Sequence, residues 1–328
     1  METIMKRGGI ALIEVKNLTK RYGNHTAVQD LSFTIEKGQI YGFLGPNGAG
    51  KSTTMNILTG CLAATSGSVT VAGFDIFEEA QQAKRHIGYL PEQPPLYLDR
   101  TPREYLDFVA RAKQVQTDWR HEQIQKVMEM TGITDVADRL IKNLSKGYRQ
   151  RVGIAQALLG NPEIIILDEP TVGLDPRQII EIRELIQQLG TEHTVILSSH
   201  ILSEVQAVCQ TILIISKGKL VACDTPENLE KLFAGTSTVE LTAEATPEEA
   251  LEILSTVPGI TDAQITEADG VVRIRLESGR AADSSLCREL FFAFSDAKRA
   301  ILHMTEARAS LEDIFIELTE TPKGGEQT

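Results

Sequence analysis

One glycine-rich loop constrains the fold of this chain more than any other feature. It follows an apolar, strand-like segment at residues 40–44, precedes a helix-like segment at 54–60, and matches the pattern G-x-x-x-x-G-K-[ST]. Glycines let backbone N–H groups turn toward a phosphate, the helix start adds positive potential, and the lysine adds a charge. We therefore expect a phosphate-binding loop made of Gly45, Pro46, Asn47, Gly48, Ala49, Gly50, Lys51, Ser52 and Thr53.

A second candidate site lies at the end of an uninterrupted apolar run. Residues 164–167 are typical of a buried parallel strand, and Asp168 and Glu169 follow directly. The carboxyl end of such a strand faces the ligand crevice of a parallel sheet. We expect Asp168 and the Ser52 hydroxyl to hold Mg²⁺, and Glu169 to polarise a water in line with the γ-phosphate. Alone, an Asp-Glu pair is most often a strand end or a helix cap; beside a phosphate loop it predicts catalysis.

The order of strands and helices predicts two domains. Strands and helices alternate over residues 10–234, which predicts an α/β domain with a mostly parallel sheet, and helical spacing at about 95–143 predicts a helical insert. Residues 235–320 follow the order β-α-β-β-α-β, which predicts a small ferredoxin-like α+β domain, with a last helix at 311–318. A flexible polar tail is expected at 321–328.

The charge of the chain is concentrated in its last third. Of 33 basic and 45 acidic side chains, giving −12 overall, residues 1–234 contribute −2 and residues 235–328 contribute −10. An acidic chain has no general attraction for nucleic acids or anionic lipids, so no nucleic acid partner is expected and any phosphate site must be local.

The sequence also predicts the cellular location of the protein. No apolar run approaches the roughly 20 residues that cross a bilayer, and the first residues do not resemble a signal peptide, so we expect a cytoplasmic protein. Four cysteines, Cys61, Cys209, Cys223 and Cys287, are scattered without C-x-x-C spacing. They are interpreted as reduced core thiols and not as disulfides or zinc ligands.

The segment Leu144-Ser145-Lys146-Gly147-Tyr148 resembles the signature loop of ABC ATPases. Ser145 and Gly147 match the family, whereas Lys146 and Tyr148 stand where the family usually has Gly and Gln. The resemblance covers about residues 12–230 and implies a P-loop ABC-type domain with a mixed sheet, an antiparallel portion and a helical subdomain. It also implies that Ser145 and Gly147 bind the γ-phosphate of ATP held by a partner subunit. Taken alone, the five residues favour an ordinary helix with Ser145 as its N-cap, whereas the order of the motifs opposes that interpretation.

The same resemblance assigns roles to further positions. Tyr22 corresponds to the aromatic residue that stacks on adenine, Asp175 to the loop that carries signals across the dimer, and His200 to the histidine that contacts the γ-phosphate. Glu92 stands where the family has its loop glutamine, and Gln93 follows one residue later. Both have an oxygen that suits Mg²⁺, so the two alternatives stay open.

Together these features imply an ATP-hydrolysing subunit that uses ATP and Mg²⁺. The resemblance implies a head-to-tail homodimer or heterodimer that drives separately encoded integral membrane permease subunits, which dock on the helical insert at the inner face of the membrane. Residues 310–315 resemble the end of accessory domains on exporter-type subunits, including those linked to gliding motility or drugs, so an exporter is expected. The acidic domain is interpreted as a dimerisation, regulatory or ligand-sensing module, or as a packing domain with a solvated surface.

The alternative function is that of a soluble ABC ATPase with a mechanical or regulatory role. The single set of motifs and the short helical insert oppose it.

Overall fold

The chain divides into two compact units in the computed structural model, residues 1–225 and 226–328, each with its own buried apolar core. The structure describes residues 11–233, 237–268, 271–278, 285–307 and 315. The sequence analysis placed the division after residue 234, whereas the helix at Pro226–Phe233 here groups with the second unit.

The strands of the first unit form two sheets. In chain order they are β1 (Ala11–Tyr22), β2 (His25–Glu36), β3 (Ile40–Leu44), β4 (Ser66–Val71), β5 (Phe74–Asp75), β6 (Ile87–Leu90), β7 (Ile164–Asp168), β8 (Thr194–Ser199), β9 (Thr211–Ser216) and β10 (Lys219–Asp224). One sheet is antiparallel with the order β2-β1-β4-β5, and the other has the order β10-β9-β3-β8-β7-β6. The two sheets share one core, in which Phe33 and Phe43 meet edge to face with ring centroids 5.2 Å apart.

The larger sheet positions the candidate site. β6, β7, β8, β3 and β9 are parallel, and only β10 is antiparallel to its neighbour. All five residues of β7 are buried, which confirms the prediction of a buried parallel strand. Because β3, β8 and β7 are neighbours and point the same way, their carboxyl ends bring the phosphate loop, His200 and Asp168 to one edge of the sheet.

The helices of the first unit pack against the strands or form the insert. Those of the first unit are α1 (Lys51–Leu58), α2 (Ala80–Arg85), α3 (Pro102–Ala112), α4 (Thr117–Met130), α5 (Lys146–Leu158), α6 (Pro176–Leu189) and α7 (Leu202–Val208). Between residues 95 and 143 the chain forms α3, α4 and two short 3-10 turns. Pro102 opens α3, and a capping box between Thr101 and Glu104 satisfies its first N–H groups.

The structure differs from the predictions in some local details. The helix after the phosphate loop begins at Lys51 and not at residue 54, because the loop itself turns into the helix before the apolar pattern starts. β1 and β2 are each 12 residues long, and their pairing continues with irregular register to the turn at Gly23. Among the cysteines, Cys209 is buried but Cys61 is exposed, so the expectation of a core thiol is wrong for Cys61.

The second unit has the predicted order β-α-β-β-α-β after a first helix. Its elements are α8 (Pro226–Phe233), β11 (Ser237–Ala243), α9 (Pro247–Ser255), β12 (Ile260–Ala268), β13 (Val271–Ser278), α10 (Ser285–Asp296) and β14 (Ile301–Ala307). The sheet is antiparallel with the order β12-β13-β11-β14. The ferredoxin-like assignment stays a prediction. The predicted helix at 311–318, apart from Phe315, and the tail at 321–328 lie outside the described residues. None of the described helices combines the length and the apolar character that crossing a bilayer requires.

Candidate functional site

The phosphate loop connects β3 to α1, and its backbone is shaped for an anion. Gly48 and Gly50 have φ angles of +80° and +105°, and a Cβ on Gly50 would stand 2.6 Å from the Ala27 carbonyl oxygen. Gly50 is the N-cap of α1, no side chain caps this helix, and no acidic residue lies in its first turn. The first N–H groups of α1 therefore stay available to a negatively charged ligand.

Lys51 is buried and lies at the centre of this loop, with 6% of its surface exposed. Its Nζ donates to the Gly45 carbonyl oxygen at 2.8 Å and lies 3.3 Å from Glu169 Oε1. A buried ammonium needs partners of this kind, and phosphate oxygens have the same chemistry. The loop and Lys51 therefore fit the phosphates of a nucleotide.

Asp168 connects the phosphate loop to strand β8. Its Oδ1 accepts hydrogen bonds from Ser198 Oγ at 2.5 Å and from Ser52 Oγ at 3.3 Å. Burial raises the pKa of Asp168, the two hydroxyls oppose this effect, and the charges of Glu169 and Glu92 add to it. This concentration of negative charge next to a hydroxyl oxygen suits Mg²⁺, which prefers oxygen ligands and commonly binds through one or two carboxylates and substrate phosphates. In the residues that the structure describes, no cluster of three or more His, Cys, Asp or Glu side chains forms a metal cage.

Glu169 and His200 form a pair at the carboxyl ends of β7 and β8. His200 Nδ1 lies 3.0 Å from Glu169 Oε2. Glu169 has a φ angle of +48°, which is uncommon for a residue other than glycine, and its backbone N–H donates to Ser198 Oγ at 2.9 Å. The Glu169 carboxylate is thus held between Lys51 on one side and His200 on the other, an arrangement that suits a general base.

A cavity of about 560 Å³ opens over these groups. Sequence-predicted residues that line it are Tyr22, Asn47, Gly48, Gly50, Lys51, Ser52, Thr53, Glu92, Glu169 and His200. Residues that sequence reasoning missed are His25, Ala27 and Val172. His25 and Ala27 belong to the strand paired with Tyr22 across a two-residue turn, which is the signal that identifies them. Tyr22 is about half exposed, with Lys20 Nζ 5.2 Å from its ring centroid.

Some predicted residues lie outside the cavity lining. These are Gly45, Pro46, Ala49, Gln93 and Asp168. The Gly45 and Pro46 carbonyl oxygens nevertheless accept from Lys51 Nζ, and Asp168 accepts from Ser52 Oγ, so three of them contact lining side chains.

The candidate signature loop lies elsewhere on the chain and makes local contacts. Ser145 Oγ accepts from the Tyr148 N–H at 3.3 Å and caps α5, and Asp175 Oδ1 accepts from the Gln178 N–H at 2.9 Å and caps α6. A Cβ on Gly147 would stand 2.7 Å from the Gln178 side chain, so the two helix starts are in close contact. Neither Ser145, Gly147 nor Asp175 lines the cavity of its own chain.

A parallel sheet with a glycine-rich loop after one strand and an Asp-Glu pair after a neighbouring strand defines a P-loop nucleoside triphosphatase. Comparison with known proteins narrows this class. The model of the ABC transporter family matches residues 28–172. The chain therefore belongs to the ABC transporter family, and it is an ATP-binding subunit that hydrolyses ATP.

Relatives match most of the chain. The bacitracin transport ATP-binding protein BcrA of Bacillus licheniformis is 35% identical over 309 residues, which cover 94% of this chain and 97% of the relative. The linearmycin resistance ATP-binding protein LnrL of Bacillus subtilis is 32% identical over 309 residues, 94% of this chain and 98% of its own. The ATP-binding cassette MJ0796, solved as a dimer in a post-hydrolysis state with ADP and Pi, superposes with a TM-score of 0.59 at 25% identity, covering 65% of this chain and 98% of that one.

Proposed function

We propose that this chain powers export through separately encoded membrane subunits. Support comes from the cluster of Lys51, Glu169 and His200 beside the phosphate loop, and from similarity along nearly the whole chain to subunits named for bacitracin transport and linearmycin resistance. In this proposal the protein is cytoplasmic and is held at the inner face of the membrane by a permease.

We propose that ATP binds in this cavity through contacts to its phosphates and to its adenine ring. The N–H groups at the start of α1 and Lys51 bind the phosphates, and the Tyr22 ring stacks on adenine. Lys51 then exchanges the Gly45 carbonyl oxygen and the Glu169 carboxylate for phosphate oxygens, which releases Glu169 to accept a proton.

The hydrolytic step is assigned to Glu169. A water attacks the γ-phosphorus, the bond to the bridging oxygen of ADP breaks, and the proton of the water passes to the Glu169 carboxylate. His200 holds that carboxylate through the contact to Oε2 and lines the same cavity, where it is proposed to contact the transferred phosphate. Ser52, Asp168 and either Glu92 or Gln93 are the proposed ligands of Mg²⁺, which when bound neutralises charge on the phosphate oxygens.

A second ATPase subunit is proposed to complete each site. Ser145, Gly147 and Asp175 do not line the cavity of their own chain, which is compatible with a head-to-tail pair in which they act on the partner's nucleotide. The dimer forms from two copies of this chain or from this chain and a related one.

The permease is proposed to dock beside α3. Tyr97, Leu98 and Phe108 are about half exposed, and the rings of Tyr97 and Phe108 lie 5.2 Å apart. This aromatic patch follows the loop that carries Glu92, so a cytoplasmic helix of the permease packed on it would reach the nucleotide site through a short segment of chain.

Replacement of the proposed base tests this function. Glu169→Gln keeps the size of the side chain but removes the proton acceptor, so the variant is expected to bind ATP and to accumulate as an ATP-dependent dimer with turnover lost. Dimerisation is measured by analytical ultracentrifugation with ATP and with ADP, and turnover by phosphate release. Undiminished phosphate release would refute the assignment of Glu169, and an ATP-independent monomer would refute the proposed pairing.

A further inference from the structure

A buried carboxylate without an assigned role lies behind the catalytic pair. Glu204, on α7, is only 5% exposed and does not line the nucleotide cavity. Its Oε2 accepts two hydrogen bonds, from Thr171 Oγ1 at 2.6 Å and from Ser199 Oγ at 3.0 Å. Hydrogen bonds to a buried carboxylate are strong, because the charge has little other solvation. One oxygen atom of Glu204 therefore fixes two hydroxyls.

These two hydroxyls belong to the two segments that carry the catalytic pair. Thr171 follows Glu169 after one intervening residue, and Ser199 directly precedes His200. Ser199 Oγ also accepts from the Ile201 N–H at 3.0 Å, so this serine holds the backbone just beyond His200. Glu204 thus joins the chain after β7 to the chain after β8.

Glu169 needs such support because its backbone is in a disfavoured conformation. A φ angle of +48° at a residue with a long side chain persists only where the surroundings hold it. Ser198 supports Glu169 from the N-terminal side through the Glu169 N–H. Thr171, held by Glu204, supports it from the C-terminal side.

We propose that Glu204 is a positioning residue for ATP hydrolysis. By holding Thr171 and Ser199 on one oxygen, it sets the 3.0 Å separation between Glu169 Oε2 and His200 Nδ1. It acts through its neighbours and does not touch the nucleotide. This inference rests on the proposed roles of Glu169 and His200.

Two substitutions of Glu204 in the full chain test the proposal. Glu204→Leu removes the acceptor, and because a misplacement of about 1 Å costs on the order of 100-fold in rate, kcat is expected to fall by about that factor. ATP affinity, measured with a fluorescent nucleotide, is expected to stay within about twofold, since Glu204 does not line the nucleotide cavity and its hydrogen bonds go to Thr171 and Ser199. Glu204→Gln keeps an acceptor oxygen in place and is expected to restore most of kcat. Unchanged kcat in Glu204→Leu would overturn the proposal.

Substitution of the two hydroxyl donors, Thr171 and Ser199, tests the proposal even if Glu204→Leu folds poorly. Thr171→Val and Ser199→Ala each remove one hydroxyl, and each is expected to lower kcat more than ATP affinity. Thr131→Val is the matched control, because Thr131 is fully buried and its hydroxyl donates to the Val127 carbonyl oxygen at 2.7 Å, in the helical insert. It is expected to lower thermal stability and to leave kcat unchanged. An equal loss of kcat in Thr131→Val and Thr171→Val would show a general effect of stability and contradict the proposal.

Turnover of Glu169→Gln, measured in parallel, distinguishes a failure of the proposed base from a failure of the proposed role of Glu204. Full turnover in that variant would remove the proposed base and, with it, the basis for Glu204. Loss of turnover in Glu169→Gln together with unchanged turnover in Glu204→Leu would remove the role of Glu204 alone.

Discussion

Lys51 Nζ lies 3.3 Å from Glu169 Oε1, and both side chains are almost completely buried. The proposed phosphate-binding group and the proposed base therefore neutralise each other. A buried pair of this kind is weak evidence of stability, but the loss of one partner leaves an unpaired buried charge.

This pair predicts a non-additive effect on stability. Lys51→Met is expected to lower the free energy of unfolding by about 3 to 5 kcal/mol, because the Glu169 charge loses its partner. Adding Glu169→Gln is expected to recover about 1 to 3 kcal/mol of that loss, since the amide carries no charge. Urea unfolding of the two single variants and the double variant measures this coupling. Strictly additive values would show that the contact has no energetic role, and ATP binding that survives Lys51→Met would count against the phosphate loop assignment.

The loop after β6 predicts a difference between two adjacent residues. Both residues are exposed, but only Glu92 lines the cavity, and its charge contributes to the raised pKa of Asp168. We expect Glu92→Gln to raise the Mg²⁺ concentration for half-maximal turnover by about three- to tenfold, because one negative charge near the ion is lost. Gln93→Ala is the control and is expected to change it little. A reversed pattern would assign the loop role to Gln93.

The exposed aromatic patch predicts how the permease binds. Phe108→Ser removes much of the apolar surface beside Tyr97, so co-purification with membrane subunits from detergent-solubilised membranes is expected to be lost while ATPase activity of the isolated chain persists. Trp119→Ser is a suitable control, because Trp119 is also exposed, at 62%, and lies on the neighbouring helix α4. Equal loss of co-purification in both variants would exclude a specific role of the patch.

We predict that Lys113 makes the free energy of unfolding depend on pH. Its ammonium donates to the carbonyl oxygens of Gln156, Ala157 and Leu159 at the end of α5, and burial of this group lowers the pKa of Lys113 from 10.5 to about 8, although much of the residue is exposed. Between these two values the unfolded chain binds more protons, so this group makes stability rise with pH.

The destabilising contribution of the charged Lys113 is therefore full below about pH 8 and disappears as the pH approaches its value in the unfolded chain. Relative to Lys113→Met, the wild-type chain is expected to gain stability between about pH 7.5 and about pH 9.5. Urea unfolding of both proteins at the two pH values provides the measurement, and a constant difference would contradict the lowered pKa.

Much of the fold followed from local sequence patterns. The apolar run that ends in Asp168 and the glycine loop before Lys51 each carry their structure in a few adjacent residues, and both lie where strand direction predicts. Ser198 is different, because its contact with Asp168 depends on the register between β7 and β8, in which these two residues are paired. Because Asp168 and Ser198 are 30 residues apart in the chain, no local sequence pattern predicts that they pair.

The same limit applies to Glu204 and to the loop after β6. Glu204 belongs to the periodic pattern of an ordinary amphipathic helix, and only the folded chain brings it to Thr171. Glu92 and Gln93 are adjacent and chemically similar, so the choice between them depends on the path of the backbone.

Ser145 illustrates how one hydroxyl can serve two purposes. Capping α5 occupies only a lone pair of its oxygen, and among the described residues no acceptor takes its proton. The hydroxyl can therefore still donate one hydrogen bond without loss of the helix cap. In the proposed dimer, such a donor would favour a phosphate oxygen over a neutral surface, so pairing of the subunits would depend on bound nucleotide.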